Sequence, residues 1–162
     1  MERKAFMNGM IQTELEDVVG RDNLSCSVSD RAAYGVDYYW VGRMWEDRGQ
    51  TPPMPDWIVR PGCAQEISKI LKIANYYKLP VNVWGGGSGS QGGALPMAGG
   101  LMLDMKRMNR LLEIDEISRT ITAEAGMIFQ QLEWYANERG YSCQHIPSCL
   151  TCGTIGGALG HR

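Results

Sequence analysis

Residues 85–93 run Gly-Gly-Gly-Ser-Gly-Ser-Gln-Gly-Gly. No helix or strand interior suits such a stretch, because glycine loses more backbone entropy on folding than any other residue. What it does suit is a close turn. Successive N–H groups in a glycine-rich turn can converge on one anion, with no Cβ in the way, so phosphate can be held without basic side chains. Ser88 and Ser90 add hydroxyl donors at the same place, and Val81-Asn-Val-Trp84 just before it predicts a strand that fixes the loop. Gly87 to Gly92 also spells G-x-G-x-x-G, the fingerprint of the dinucleotide fold, but that motif needs a helix to start inside the glycines. Pro96, Gly99 and Gly100 forbid a long helix here, and no Gly-Lys-Ser/Thr follows as a Walker loop requires. Both of those phosphate sites are therefore rejected.

The rest of the chain predicts an α+β layer architecture. Ile11, Leu15 and Val18 give a short amphipathic helix over Asn8 to Gly20. Residues 34–56 hold Tyr34, Tyr38, Tyr39, Trp40 and Trp45 ahead of Pro52, Pro53 and Pro55, and are expected to form an irregular loop whose aromatics pack rather than stack on a ligand. A strand follows from Trp57 to Arg60. Next comes a helix with Ile67, Ile70, Leu71, Ala74 and Tyr77 on its apolar face, ended by Pro80. Leu101–Asp104 is a buried-type strand, Glu113–Asp115 is strand-like, and Thr120–Ala125 alternates with period two. Ile128, Leu132, Tyr135, Ala136 and Arg139 mark one side of another helix, closed by Gly140. Residues 154–162 end inside an unfinished element.

Composition narrows the partners. At 162 residues with 44% hydrophobic and 21% charged residues, the chain can bury a real core. Its sixteen basic and eighteen acidic residues form no block of like charge, which argues against nucleic acid. No apolar run reaches the roughly 20 residues of a membrane helix, and the first residues lack a signal peptide's apolar stretch, so the cytoplasm is the expected compartment. Five cysteines, Cys26, Cys63, Cys143, Cys149 and Cys152, fit reduced thiols better than a disulfide framework. Cys143, His145, Cys149 and Cys152 supply four soft ligands within ten residues. A non-enzymatic metal or redox module is thus a rival reading, although Ile146-Pro147 stiffens the middle of the stretch.

Taken in order, Asp56–Pro61, the helix from Glu66, Pro80–Gly89, Gly100–Asn109, Thr122–Gly126 and Thr154–Gly157 resemble flavoproteins with an FAD-binding domain of the vanillyl-alcohol-oxidase or p-cresol-methylhydroxylase (PCMH) type. The resemblance spans residues 56–162 and implies the N-terminal part of such a domain, with a small sheet subdomain, flanking helices and a truncated second subdomain. Residues 1–55 would be a covering segment. In that family the loop matching Trp84, Gly85, Gly86, Gly87, Ser88, Gly89 and Ser90 wraps the FAD diphosphate. The segment holding Pro147, Ser148, Cys152, Thr154, Gly156, Gly157, His161 and Arg162 runs toward the ribityl and isoalloxazine parts. Cys152 stands where some members attach FAD covalently, but the companion histidine is replaced by Ser88, so non-covalent FAD is expected.

The implied reaction is hydride transfer to the flavin from the hydroxylated carbon of a 2-hydroxy acid such as glycolate or D-lactate, or of an aromatic alcohol; in sequence the chain most resembles the glycolate and D-lactate dehydrogenase and alkyl-glycerone-phosphate synthase branches. The substrate is then a small molecule, and no catalytic base is assigned. The family's further segments lie C-terminal to this region. The chain by itself is therefore expected to be inactive: a fragment that lacks its C-terminal half, ahead of a subunit completed by a second chain or a short FAD-binding module without activity, with a homo-oligomer as a separate partner expectation.

Overall fold

A computed structural model describes residues 2–160. Six helices and six strands are labelled in chain order. They are α1 (Glu2–Val19), β1 (Leu24–Ser25), α2 (Val28–Ala33), α3 (Trp40–Asp47), β2 (Trp57–Val59), α4 (Ala64–Tyr77), β3 (Val81–Trp84), β4 (Leu101–Asp104), β5 (Leu111–Asp115), β6 (Thr120–Ala123), α5 (Phe129–Asn137) and α6 (Ile155–Gly160). The strands form a four-stranded sheet of order β1-β2-β4-β3 and a separate β5-β6 pair, an α+β arrangement.

β4 organises the larger sheet. It lies between β2 and β3, parallel to both, with Leu101 opposite Trp57 on one side and Val81 on the other. All four of its residues are buried, which explains an apolar run without polar alternation. One face of the sheet packs Trp57, Val59, Leu101 and Leu103 against Ile70 and Ala74 of α4 and Ile11, Leu15 and Val19 of α1. The opposite face carries Ile58 and Met102 against Tyr34 and Trp84. Helices cover one side, and the ligand-side loops emerge beyond the carboxyl ends of β3 and β4.

Helix α1 begins well before Asn8, and Val19 rather than Val18 is its third buried residue; Gly20 leaves the helix at φ +81°. Within α4, Ile70 and Ala74 face the sheet while Leu71, about 100° further round, stays 45% exposed. Its start is secured by Glu66, whose carboxylate accepts the Gly62 N–H at 2.7 Å. Residues 34–56 are not wholly irregular, since α3 occupies Trp40–Asp47. The clustered aromatics hide its helical period, and the prolines begin only after it has ended. The first strand stops at Val59, and β5 begins two residues earlier than its charged core suggested. The short α2 also escaped sequence reading, being only six residues, capped by Ser27 accepting the Asp30 N–H. The unfinished element after Thr154 is α6; His161 and Arg162 lie outside the described residues.

Two substitutions in α1 should move stability in opposite directions. Leu15 is fully buried, so Leu15→Ala should lower unfolding free energy by about 2–5 kcal/mol. Gly9 is exposed mid-helix with open space where a Cβ would sit, so Gly9→Ala should raise it by about 0.5–1 kcal/mol. Urea midpoints at constant slope check both.

Candidate functional site

β3 ends at Trp84, and the glycine loop leaves from there. Gly87 adopts φ +63° directly over the Trp84 indole, where any Cβ would overlap the ring. The N-terminal segment holds the loop from another side. The Tyr38 N–H donates to the Gly87 carbonyl at 2.9 Å, and the Tyr39 ring rests on Gly92. Closest of all is the chain's tail. A Cβ on Gly85 would overlap the Thr154 hydroxyl and one on Gly86 the Cys152 carbonyl, so two backbones meet where only glycine fits.

The tail is itself fixed by main-chain bonds to the start of α5. Phe129 N–H donates to Gly153 at 2.9 Å, Ile155 N–H to Met127 at 2.9 Å, and Gly156 N–H to Ala125 at 2.8 Å. Thr154 is buried and pairs as an isolated bridge with Ile128, while its hydroxyl accepts the Gly157 N–H at 3.3 Å. Cys149 turns the chain just before it, its carbonyl accepting from Cys152 N–H at 3.0 Å and Gly153 N–H at 2.6 Å.

Loop and tail enclose a cleft of about 730 Å³. Gly85, Gly86, Gly87, Ser88, Gly89 and Ser90 form one wall; Pro147, Ser148, Thr154, Gly156 and Gly157 form the other. Trp84 and Cys152 do not line it. The indole lies buried beneath Gly87, and Cys152 is exposed behind Gly86, so each supports the wall from outside the cleft. Asn82, Ala125, His145 and Cys149 line the cleft as well. On β3 Asn82 shares its side with the buried Trp84, so alternation along the strand does not single it out.

The electrostatics follow from this wall. None of its residues is an acid, a lysine or an arginine. Among the described residues, no backbone N–H from Gly85 to Ser90 donates to a protein acceptor. A row of unused donors with no competing carboxylate suits a ligand rich in acceptor oxygens.

Behind the loop lies a charged network that sequence reading missed. Asp104, 3% exposed, ends β4 opposite Trp84. It accepts the Tyr34 hydroxyl at 2.5 Å and the Lys106 N–H at 3.0 Å, with Arg60 Nε at 3.8 Å and Lys106 Nζ at 3.4 Å. Burial, with the Asp104 carboxylate beside it, pushes the Tyr34 hydroxyl up to about 12. Tyr34 meets Trp84 edge-on at 5.0 Å, so the network holds the ring on which Gly87 rests. An acid closing an otherwise apolar strand was the available clue.

Among the described residues no three His, Cys, Asp or Glu side chains gather as metal ligands. Cys143 sits against Glu133, which accepts its N–H at 2.9 Å, and burial pushes its thiol up; His145 packs edge-on to Phe129 at 5.5 Å.

A glycine cradle beyond the carboxyl ends of parallel strands β3 and β4, closed by a second glycine-rich segment, defines a domain built for a phosphate-bearing cofactor. The particular family follows from comparison. The profile of an FAD binding domain matches residues 55–162, and the chain belongs to that family, the PCMH-type FAD-binding domain of flavin-dependent oxidoreductases. It is 33% identical over 149 residues to the glycolate oxidase subunit GlcD of Bacillus subtilis, covering 92% of this chain and 30% of that one. To a D-lactate dehydrogenase of Archaeoglobus fulgidus it is 37% identical over 102 residues, 63% of this chain and 23% of the other. A solved alkyldihydroxyacetonephosphate synthase superposes with a TM-score of 0.85 at 26% identity, covering 93% of this chain and 31% of that one. The chain thus spans less than a third of the length of these relatives. No helix among the described residues is long and apolar enough to cross a membrane.

The Tyr34 network predicts an alkaline signature. A hydroxyl raised from 10.0 to about 12 by folding contributes stability that is complete below pH 10 and lost as pH climbs toward 12. Unfolding titrations of wild type and Tyr34→Phe should therefore converge over that interval. At neutral pH the variant should be weaker by about 1–3 kcal/mol, because the buried Asp104 loses a donor.

Proposed function

We propose that FAD binds non-covalently in this cleft, its diphosphate on the N–H groups and hydroxyls of Gly85–Ser90, and that the chain is the cofactor-holding part of an enzyme oxidising a hydroxylated carbon. The row of unpaired N–H donors carries the reading. Such donors act as fixed dipoles on a dianionic group without the desolvation cost of lysine or arginine. Pro147, Ser148, Thr154, Gly156 and Gly157 lie along the ribityl and ring portion. Small residues there admit a flat ligand, and Thr154 is already oriented by Gly157. Trp84 and Cys152 act by shaping the wall.

FAD, when bound, supplies a two-electron acceptor that takes a hydride. The chain's own residues bind it, keep water from its diphosphate, and fix its orientation through the loop–tail contact. Residues 2–55 serve as a cover, clamping the loop through Tyr34 and Tyr38. Similarity to a glycolate oxidase subunit and a D-lactate dehydrogenase favours a 2-hydroxy acid as substrate, ahead of an aromatic alcohol. Turnover needs substrate-binding elements beyond these residues, in the same polypeptide or another chain.

The test is retention of flavin. Purified protein mixed with FAD and desalted should keep the flavin's visible absorption bands, and Gly87→Val should lose them, its affinity falling at least about tenfold, or 1.4 kcal/mol. Wild-type protein that retains no flavin, or a Gly87→Val variant that binds it normally, overturns the assignment.

A further inference from the structure

Cys149 and Cys152 stand at C-x-x-C spacing in the turn that closes the tail, and the proposed diphosphate cradle of Gly85–Ser90 includes neither thiol. The turn brings them together. Its Cys152 N–H to Cys149 carbonyl bond, 3.0 Å, is the i to i+3 bond of a tight turn, which keeps the end Cα atoms within about 7 Å. A disulfide spans that separation. Each sulfur also leans back over the turn. A Cβ on Gly153, the residue after Cys152, would lie 2.6 Å from Cys149 Sγ, and Cys152 Sγ is 3.7 Å from the Cys149 carbonyl. Glycine at 153 leaves no side chain between them. Both thiols are free.

Their surroundings differ. Cys152 is exposed, whereas Cys149 is half-buried on the cleft wall. Only one of the pair is open to a bulky reactant, and its neighbour is positioned to finish the reaction. Cys143 is not so placed, being tied to Glu133 and separated from the turn by Ile146-Pro147. Cys26, also exposed, has no thiol at comparable spacing.

We propose that Cys149 and Cys152 form a reversible dithiol–disulfide couple that exchanges with disulfides presented at the protein surface, Cys152 attacking and Cys149 resolving. The Cys152 thiolate attacks one sulfur of the incoming disulfide, forming a mixed disulfide and expelling the other half as a thiolate. The Cys149 thiolate then attacks Cys152 Sγ, closing the internal bond and expelling the second half. Two electrons pass to the incoming disulfide, which leaves as two thiols carrying the two cysteine protons. The couple needs no FAD, so its test stands apart from flavin binding.

The experiment equilibrates the whole chain, without FAD, in a series of reduced-to-oxidised glutathione ratios. Free thiols are then trapped by alkylation and the peptides weighed. The peptide spanning 149–152 should lose both alkyl groups and carry an internal disulfide, with two glutathiones released per bond formed. It should form at an oxidised fraction at least about tenfold lower than in the same chain unfolded in denaturant, because the turn pre-orders the pair. In Cys149→Ser the reaction should stop at a Cys152–glutathione adduct, and in Cys152→Ser the internal bond should vanish. The proposal falls if no internal disulfide appears at any ratio, if Cys143 takes one partner's place, or if the folded and unfolded chains behave alike.

Discussion

Everything at the site depends on two stretches of main chain meeting with nothing between them. Gly85 and Gly86 approach the backbone and hydroxyl of Cys152–Thr154 so closely that a single methyl would part them. That contact joins pieces nearly seventy residues apart in sequence, and it is why the cleft has two walls rather than one open loop. The remaining supports serve it. Main-chain bonds to Met127 and Ala125 hold the tail in place, and the Trp84 indole carries Gly87 from below.

The second support is electrostatic. A carboxylate as buried as Asp104 is costly unless its oxygens are satisfied, and here a tyrosine hydroxyl, a backbone N–H and two cations share them. Because the same tyrosine presses edge-on against Trp84, the N-terminal segment, the end of β4 and the glycine loop are tied at one point. Residues from three distant parts of the sequence thereby fix one ring, and that ring fixes the conformation of the loop.

Much of this was legible beforehand, and the reasons are specific. The strands at Val81–Trp84 and Leu101–Asp104 announced themselves through short, mostly apolar segments, and the loop through a glycine density that admits no helix or strand interior. The approximate walls of the cleft followed from a family likeness in Thr154–Gly157. What escaped was set by three-dimensional neighbours. Trp84 adjoins the loop in sequence yet lies beneath it. Cys152 turns outward because its carbonyl, not its sulfur, faces Gly86. Helix α3 was hidden by aromatics that resemble a loop's, and Leu71 looked buried because a helical period alone does not fix how wide a face the sheet covers.

The placement of β4 between β2 and β3 has a kinetic side. Strands β2 and β3, with α4 between them, are translated first, yet neither pairs with the other; both wait for residues 101–104. Until β4 arrives, two apolar strand edges stand open, and parallel pairing across such separations closes slowly. The nascent chain therefore passes through an interval in which β2, paired only with β1, and β3 each present an open apolar edge that β4 alone can fill.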